Sequence, residues 1–97
     1  MIYFINLMDL TEKIDPHTFV KYLESTGWHL FPRKRTDIKI FQIVKSNGEA
    51  FQATIPLDRN LSDYKYAMYE AIKTVSSAEG QPTEQFFLFL LELSLQK

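Results

Sequence analysis

The dipeptide Asn47-Gly48 stands between two runs of apolar and β-branched residues, Ile38 to Lys45 and Ala50 to Ile55, and it constrains this chain more than any other feature. Asn-Gly is the preferred centre of a two-residue type I′ turn, so the two runs are predicted to form a β-hairpin. A two-residue loop pairs Ser46 with Glu49. Counting back from it sets Lys45 opposite Ala50, Val44 opposite Phe51, Gln42 opposite Ala53 and Ile40 opposite Ile55. Because side chains alternate along a strand, Ile38, Ile40, Val44, Phe51, Ala53 and Ile55 then share one face, expected to be core, with Gln42 as its polar exception. The other face carries Lys39, Lys45, Gln52 and Thr54 but also Phe41 and Ile43. It is more apolar than a solvated face requires, which implies a cover.

Helical signals flank the hairpin. Asp15-Pro16 offers an N-cap residue followed by proline at the first helical position, and Ile14 is placed to pack on Phe19 as a hydrophobic staple. A helix should therefore start there, carry an apolar stripe of Phe19, Val20, Tyr22 and Leu23, leave Lys21 and Glu24 to solvent, and stop at Gly27. Trp28 to Phe31 reads as a short strand broken by Pro32, with a loop from Arg33 to Thr36 after it. Beyond the hairpin and the loop Pro56 to Asn60, the residues Leu61, Tyr64, Met68, Ala71, Ile72 and Val75 recur at helical spacing up to Gly80. Gln81-Pro82 restarts the chain in a last helix, folded back as a helix hairpin. The predicted class is α+β in the order α-β-β-β-α-α, a three-stranded antiparallel sheet packed with helices.

From Phe86 to Leu95 every position except Glu92 and Ser94 is Phe or Leu. A helix lying on one sheet face needs only about half of its circumference apolar, so part of this one is expected to meet a partner. The run is too short for a membrane span, which takes about 20 residues. At the other end, Met1-Ile2-Tyr3-Phe4-Ile5-Asn6-Leu7-Met8 is apolar but lacks the positive lead and small-residue cleavage site of a signal peptide. It reads as an extra strand or docked arm or, with Met8 as an alternative start, as an extension. Residues 1–97 are otherwise expected to make a single domain, since a chain of this length holds one core.

An apolar fraction of 45%, with eight Phe, five Tyr and one Trp, excludes a disordered chain. The net charge of -1 removes the long-range positive field of a general polyanion binder. Without cysteine there is no disulfide, no thiolate nucleophile and no Cys-based zinc site, and the cytoplasm is the expected compartment. His17 and His29 have no second ligand at metal-binding spacing. Asp58, Asp63 and Glu70 surround a helix start, where acids serve as caps and dipole partners. There is no Gly-rich phosphate loop and no nucleophile motif. No catalytic residue, metal ligand or cofactor is expected, and no small-molecule substrate is evident.

Charge is nonetheless polarised. Arg33, Lys34, Arg35, Lys39 and Lys45 fall within one stretch against the single acid Asp37. Beside Trp28, Phe31 and Phe41, such a loop reads in two ways. It is either an ordinary solvated loop with snorkelling lysines, or a phosphate grip with an aromatic platform for a single-stranded base, the contacts then being Arg33, Lys34, Arg35 and Lys39. Tyr66 and Tyr69 point away from the stripe to which Tyr64 belongs and read as interface residues or as scattered surface aromatics.

The run Phe19-Val20-Lys21-Tyr22-Leu23-Glu24-Ser25-Thr26-Gly27-Trp28, followed by a basic loop, a hairpin, Ile55-Pro56-Leu57 and a helix, resembles the HicA toxin family. Those are small messenger-RNA-cleaving toxins with a double-stranded-RNA-binding-domain-like fold. The likeness spans about residues 19 to 75, with Gly27-Trp28 and Ile55-Pro56 as its sharp points. It implies the same order of elements and an association with RNA. The family's catalytic histidine follows a Gly-Ser pair at the start of the second strand, where this chain reads Arg35-Thr36-Asp37-Ile38, so the resemblance does not extend to ribonuclease chemistry. Taken together, the residues point first to a small non-enzymatic interaction domain that binds itself or another protein through Phe41, Ile43, Tyr66, Tyr69, Phe87 and Leu91. The second reading is an RNA-binding or degenerate HicA-like module working through the basic loop.

Overall fold

Asp15 opens the first long helix as its sequence dictates. Its carboxylate accepts the backbone N–H of His17 at 3.2 Å and the Thr18 hydroxyl at 3.0 Å, Pro16 takes the first helical position, and Ile14 and Phe19 are both fully buried. This helix, α2, covers Pro16–Ser25 in a computed structural model that describes residues 6–96. Before it come a short helix α1, Leu7–Leu10, and a 3-10 turn, Thr11–Lys13. Leu7 and Met8 are thus helical, not part of a leading strand, because the Asn6 side chain caps the Met8 N–H at 3.0 Å. The rest of the strand or arm expected at the N-terminus, Met1 to Ile5, lies outside the described residues.

The remaining elements are β1 (His29–Phe31), β2 (Ile38–Val44), β3 (Ala50–Pro56), α3 (Tyr64–Ala78) and α4 (Thr83–Leu95). They give the α+β order α-β-β-β-α-α, with an antiparallel sheet ordered β1-β2-β3 packed against helices. The exits of α2 and α3 are Schellman caps. Trp28 N–H reaches back to Leu23 C=O at 3.2 Å around Gly27 (φ 93°), and Gln81 N–H to Ser76 C=O at 3.0 Å around Gly80 (φ 69°). The second cap leaves too little chain for anything but a fold-back, so α4 returns along α3, where the Ser76 and Thr83 hydroxyls meet at 3.1 Å.

The hairpin differs from the sequence prediction by one residue. Val44 faces Ala50, Ile43 faces Phe51, Gln42 faces Gln52, Phe41 faces Ala53 and Ile40 faces Thr54. The turn is the cause. Gly48 N–H donates to Lys45 C=O at 2.9 Å, and Lys45 N–H to Glu49 C=O at 2.7 Å, which closes a three-residue loop of Ser46, Asn47 and Gly48. Only Gly48 has positive φ (89°); Asn47 does not, so the turn is a type I turn ending in a glycine bulge, not the type I′ turn that needs both central residues left-handed. One more loop residue turns every β2 side chain to the other face relative to β3.

The core list changes accordingly. Phe41 is 1% exposed and Val44 69%. Phe41, Ala53 and Ile55 sit in the core with Phe51 and Ile43 packed at its margin, while Ile38, Ile40, Gln42, Val44, Gln52 and Thr54 belong to the opposite face. The cover that Phe41 and Ile43 required is the protein's own helices, which join them with Leu23, Met68, Ile72, Phe86 and Phe87 in one cluster. Ile40 is the one β2 residue on the open face that is buried, with Phe31 and Thr54 as its cross-strand neighbours.

These positions separate the two registers in solution. Phe41→Ala should cost about 3–5 kcal/mol by urea unfolding, as aromatic truncation in a packed core does. Val44→Asp should cost less than about 1 kcal/mol. The opposite order of the two would mean that the strands pair as a two-residue loop dictates.

Candidate functional site

β1 is cut short by its own sequence. Pro32 would face Lys39 in the next ladder position, and its fixed φ turns the chain away from the strand. The β1–β2 ladder therefore ends at Phe31↔Ile40, whereas β2–β3 runs two residues further, to Ile38↔Pro56, and Leu57 N–H continues it onto Asp37 C=O at 2.8 Å. The strand position beyond Phe31 is a notch in the sheet. It forms a cavity of about 370 Å3 with mostly apolar walls, lined by Leu30, Phe31, Ile38 and Leu57 and, from the β1–β2 connection and the start of β2, by Pro32, Arg33, Arg35, Thr36 and Lys39.

Its apolar walls extend outward along β1. Leu30 and Phe31 are 48% and 46% exposed, unusual for large side chains on adjacent positions of one strand. The cations at the rim are not equivalent. Arg35 forms a two-pronged pair with Asp37, Nε to Oδ1 at 2.9 Å and Nη2 to Oδ2 at 2.7 Å, and Asp63 at the start of α3 adds further negative charge nearby. The guanidinium holds the Asp37 carboxyl below its ordinary value of 3.8, chiefly through this hydrogen bond. Arg35 thus braces the loop, and Arg33, Lys34 and Lys39 have no ion-pair partner among the described residues.

Of the residues the sequence marks for nucleic-acid contact, the fold brings Arg33, Arg35 and Lys39 to one cavity, with exposed Lys34 between them in the same loop. The interface residues fare differently. Phe41 and Phe87 are inside the core and cannot meet a partner, and Ile43 and Leu91 are half-buried against it. Tyr66 is exposed, its hydroxyl donating to Glu70 at 3.2 Å, while Tyr69 is half-buried under Lys73, whose Nζ lies 5.9 Å from the ring centroid. On α4 the outward residues are instead Leu88, Phe89 and Leu95. Phe86, Leu90 and Ser94, spaced four apart, take the inward stripe. The buried Ser94 hydroxyl decides that phase, accepting Asp15 N–H at 2.9 Å and donating to Leu90 C=O at 2.9 Å.

The carboxylates do not assemble into a reacting pair. Asp58 caps the Asn60 N–H at 2.9 Å, Glu70 meets Lys73 Nζ at 3.3 Å, and Asp63 faces the Arg35 loop. Both histidines lie at the surface, His17 on the first turn of α2 and His29 on β1. Among the described residues no three His, Asp or Glu side chains gather as metal ligands would, and no helix is long and apolar enough to cross a membrane. Compared with known proteins, the chain matches no family model, no curated protein and no solved structure.

The Arg35–Asp37 brace has a pH signature. A carboxyl whose folded value is lowered contributes order that is complete above its ordinary value near 3.8 and is lost as pH falls below that through the lowered value. NMR order parameters for residues 33 to 37 should therefore stay high at neutral pH, drop below pH of about 4, and be low at every pH in Asp37→Asn, with the β2–β3 ladder unaffected. A loop equally ordered in Asp37→Asn would show that something other than this pair holds it.

Proposed function

We propose that this protein is a small non-enzymatic binding module that recognises another protein through the notch at the end of β1. The observation that carries the reading is the juxtaposition of an apolar cavity of about 370 Å3 with half-exposed Leu30 and Phe31 and with cations free of ion-pair partners. Half-exposed large apolar residues next to a preformed cavity lose water when a partner docks, at roughly 25 cal/mol per Å2 of apolar surface covered. The cations beside them set orientation and encounter rate. The outward residues Leu88, Phe89 and Leu95 of α4 form a second apolar surface, available to another copy of the chain.

RNA is the second reading. The half-exposed Phe31 ring beside Arg33 and Lys34 supports it, as does the HicA-like order of elements, because a base stacks on an aromatic while the cations hold phosphate. Two features weigh against it. Arg35 is already paired with Asp37, and Asp63 faces the same loop, so the positive field that draws in a polyanion is diminished where it is needed. The missing Gly-Ser-His at the start of β2 gives no ground for cleavage.

A photo-crosslinking amino acid at position 31 distinguishes the readings. In cells it should give discrete protein adducts that resist ribonuclease and weaken strongly in Arg33→Glu. Adducts that vanish with ribonuclease would establish the RNA reading instead.

A further inference from the structure

Strand alternation fixes what the notch offers besides its walls. The Lys45–Glu49 hydrogen bond turns the backbone groups of odd-numbered β2 residues toward β3, so those of Ile38 and Ile40 turn toward β1. Ile40 has Phe31 opposite it, but the β1–β2 ladder stops there, and Ile38 presents its N–H and C=O past the last β1 partner. A sheet edge of this kind is completed by an added strand. The side chains nearby specify which strand. Leu30 and Leu57 form an apolar seat on one face, Phe31 flanks it on the other, and Arg33, Lys39 and the exposed Lys34 supply positive charge around it. Lys34 does not line the cavity, so the charge reaches beyond what a ligand confined to the cavity would touch.

We propose, building on the binding-module reading, that the notch takes an acidic extended peptide segment of a partner protein. The segment enters beside the Pro32–Asp37 connection, runs antiparallel to β2, bonds to the Ile38 backbone, and seats one large apolar side chain on Leu30 and Leu57, which share a face of the sheet. Acidic residues flanking that anchor lie against Arg33, Lys34 and Lys39. Main-chain bonds supply the general affinity of strand addition, and the anchor and the charges supply selectivity. Of the occupants that could cover an apolar groove, a segment with this charge is the one complementary to charged groups that, apart from the Arg35–Asp37 pair, are all cationic.

The test is a selection of random twelve-residue peptides displayed on phage against the full folded chain. Binding of the enriched peptide, made synthetically, is then mapped by amide chemical shifts and titrated by fluorescence anisotropy. The proposal expects net-negative sequences with a large apolar residue between acids, shifts centred on residues 30–39, and slowed exchange of the Ile38 amide. Affinity should fall at least about tenfold in Arg33→Glu and in Lys39→Glu, and also with added salt. Because Arg33 is exposed, its variant should fold normally, which circular dichroism verifies. Enriched peptides that are neutral or basic, or that shift the Leu88, Phe89 and Leu95 surface instead, would overturn the acidic-segment proposal while leaving a binding module. No enrichment, together with binding of a fluorescent single-stranded oligonucleotide at residues 30–39, would overturn both.

Discussion

A single bulged glycine at the tip of the hairpin determines which side of the sheet is inside. With Gly48 in the left-handed region and Asn47 outside it, the loop takes three residues, and Phe41 and Ile43 are set over Ala53 and Phe51. Those residues then form the surface on which the helices close. On the opposite face the same register leaves Ile38, Gln42 and Val44 without a helix above them. The inside and the candidate contact surface are therefore consequences of one turn. The notch exists because β2 outruns β1, and it opens toward solvent because no helix covers that end of the sheet.

The helices are fastened to this sheet by a few polar ties that also decide which apolar side chains stay outside. Ser94 links the end of α4 to the start of α2, which selects Phe86 and Leu90 for the interior and sends Leu88 and Leu95 outward. Near the other end of α4, Tyr22 donates to Glu79 at 2.6 Å while its ring packs edge-on to Phe89 at 5.6 Å. Burial and the neighbouring carboxylate both push that phenol well above its ordinary value of 10.0, so it remains a donor throughout the neutral range. Phe89 is thereby partly covered by α2, and the surplus of apolar surface on α4 is smaller than its sequence suggests.

The order of elements was legible because each boundary has a local chemical cause. Asp15-Pro16 starts a helix, Gly27 and Gly80 end helices in Schellman caps, and Pro32 ends a strand, all within a few residues of sequence. The register was not legible, because Asn-Gly is compatible with both a two-residue and a three-residue loop, and only the three-residue one sets Phe41 toward the helices. The contacts that reveal this are long-range, Phe41 joining Leu23 and Ile72 in one cluster. Alternation alone did not decide between the two loops, since one face of β2 carries Ile38, Ile40 and Val44 with Gln42 and the other Phe41 and Ile43 with Lys39. The outward face of α4, Leu88, Phe89 and Leu95, is hidden in the sequence for a similar reason. In a helix where nearly every residue is Phe or Leu, periodicity holds no phase, and only the buried Ser94 discloses it. The notch needed two facts that sequence gives separately, the strand-breaking Pro32 and the position on β2 that it leaves bare.

The core face and the direction of the Ile38 backbone at the notch both depend on the β2–β3 register, and the chain's lack of cysteine allows a direct measurement of it. Alternation from the Lys45–Glu49 bond makes Gln42 and Gln52 a non-hydrogen-bonded pair, the kind whose Cβ atoms approach most closely, and their side chains already meet at 2.9 Å. The double variant Gln42→Cys/Gln52→Cys should oxidise readily to an intramolecular disulfide without unfolding, whereas Gln42→Cys/Ala53→Cys should not, because Cys at 53 would face the core. Ready closure of the second pair and failure of the first would place Gln42 opposite Ala53, and would contradict both the core and the notch described for this protein.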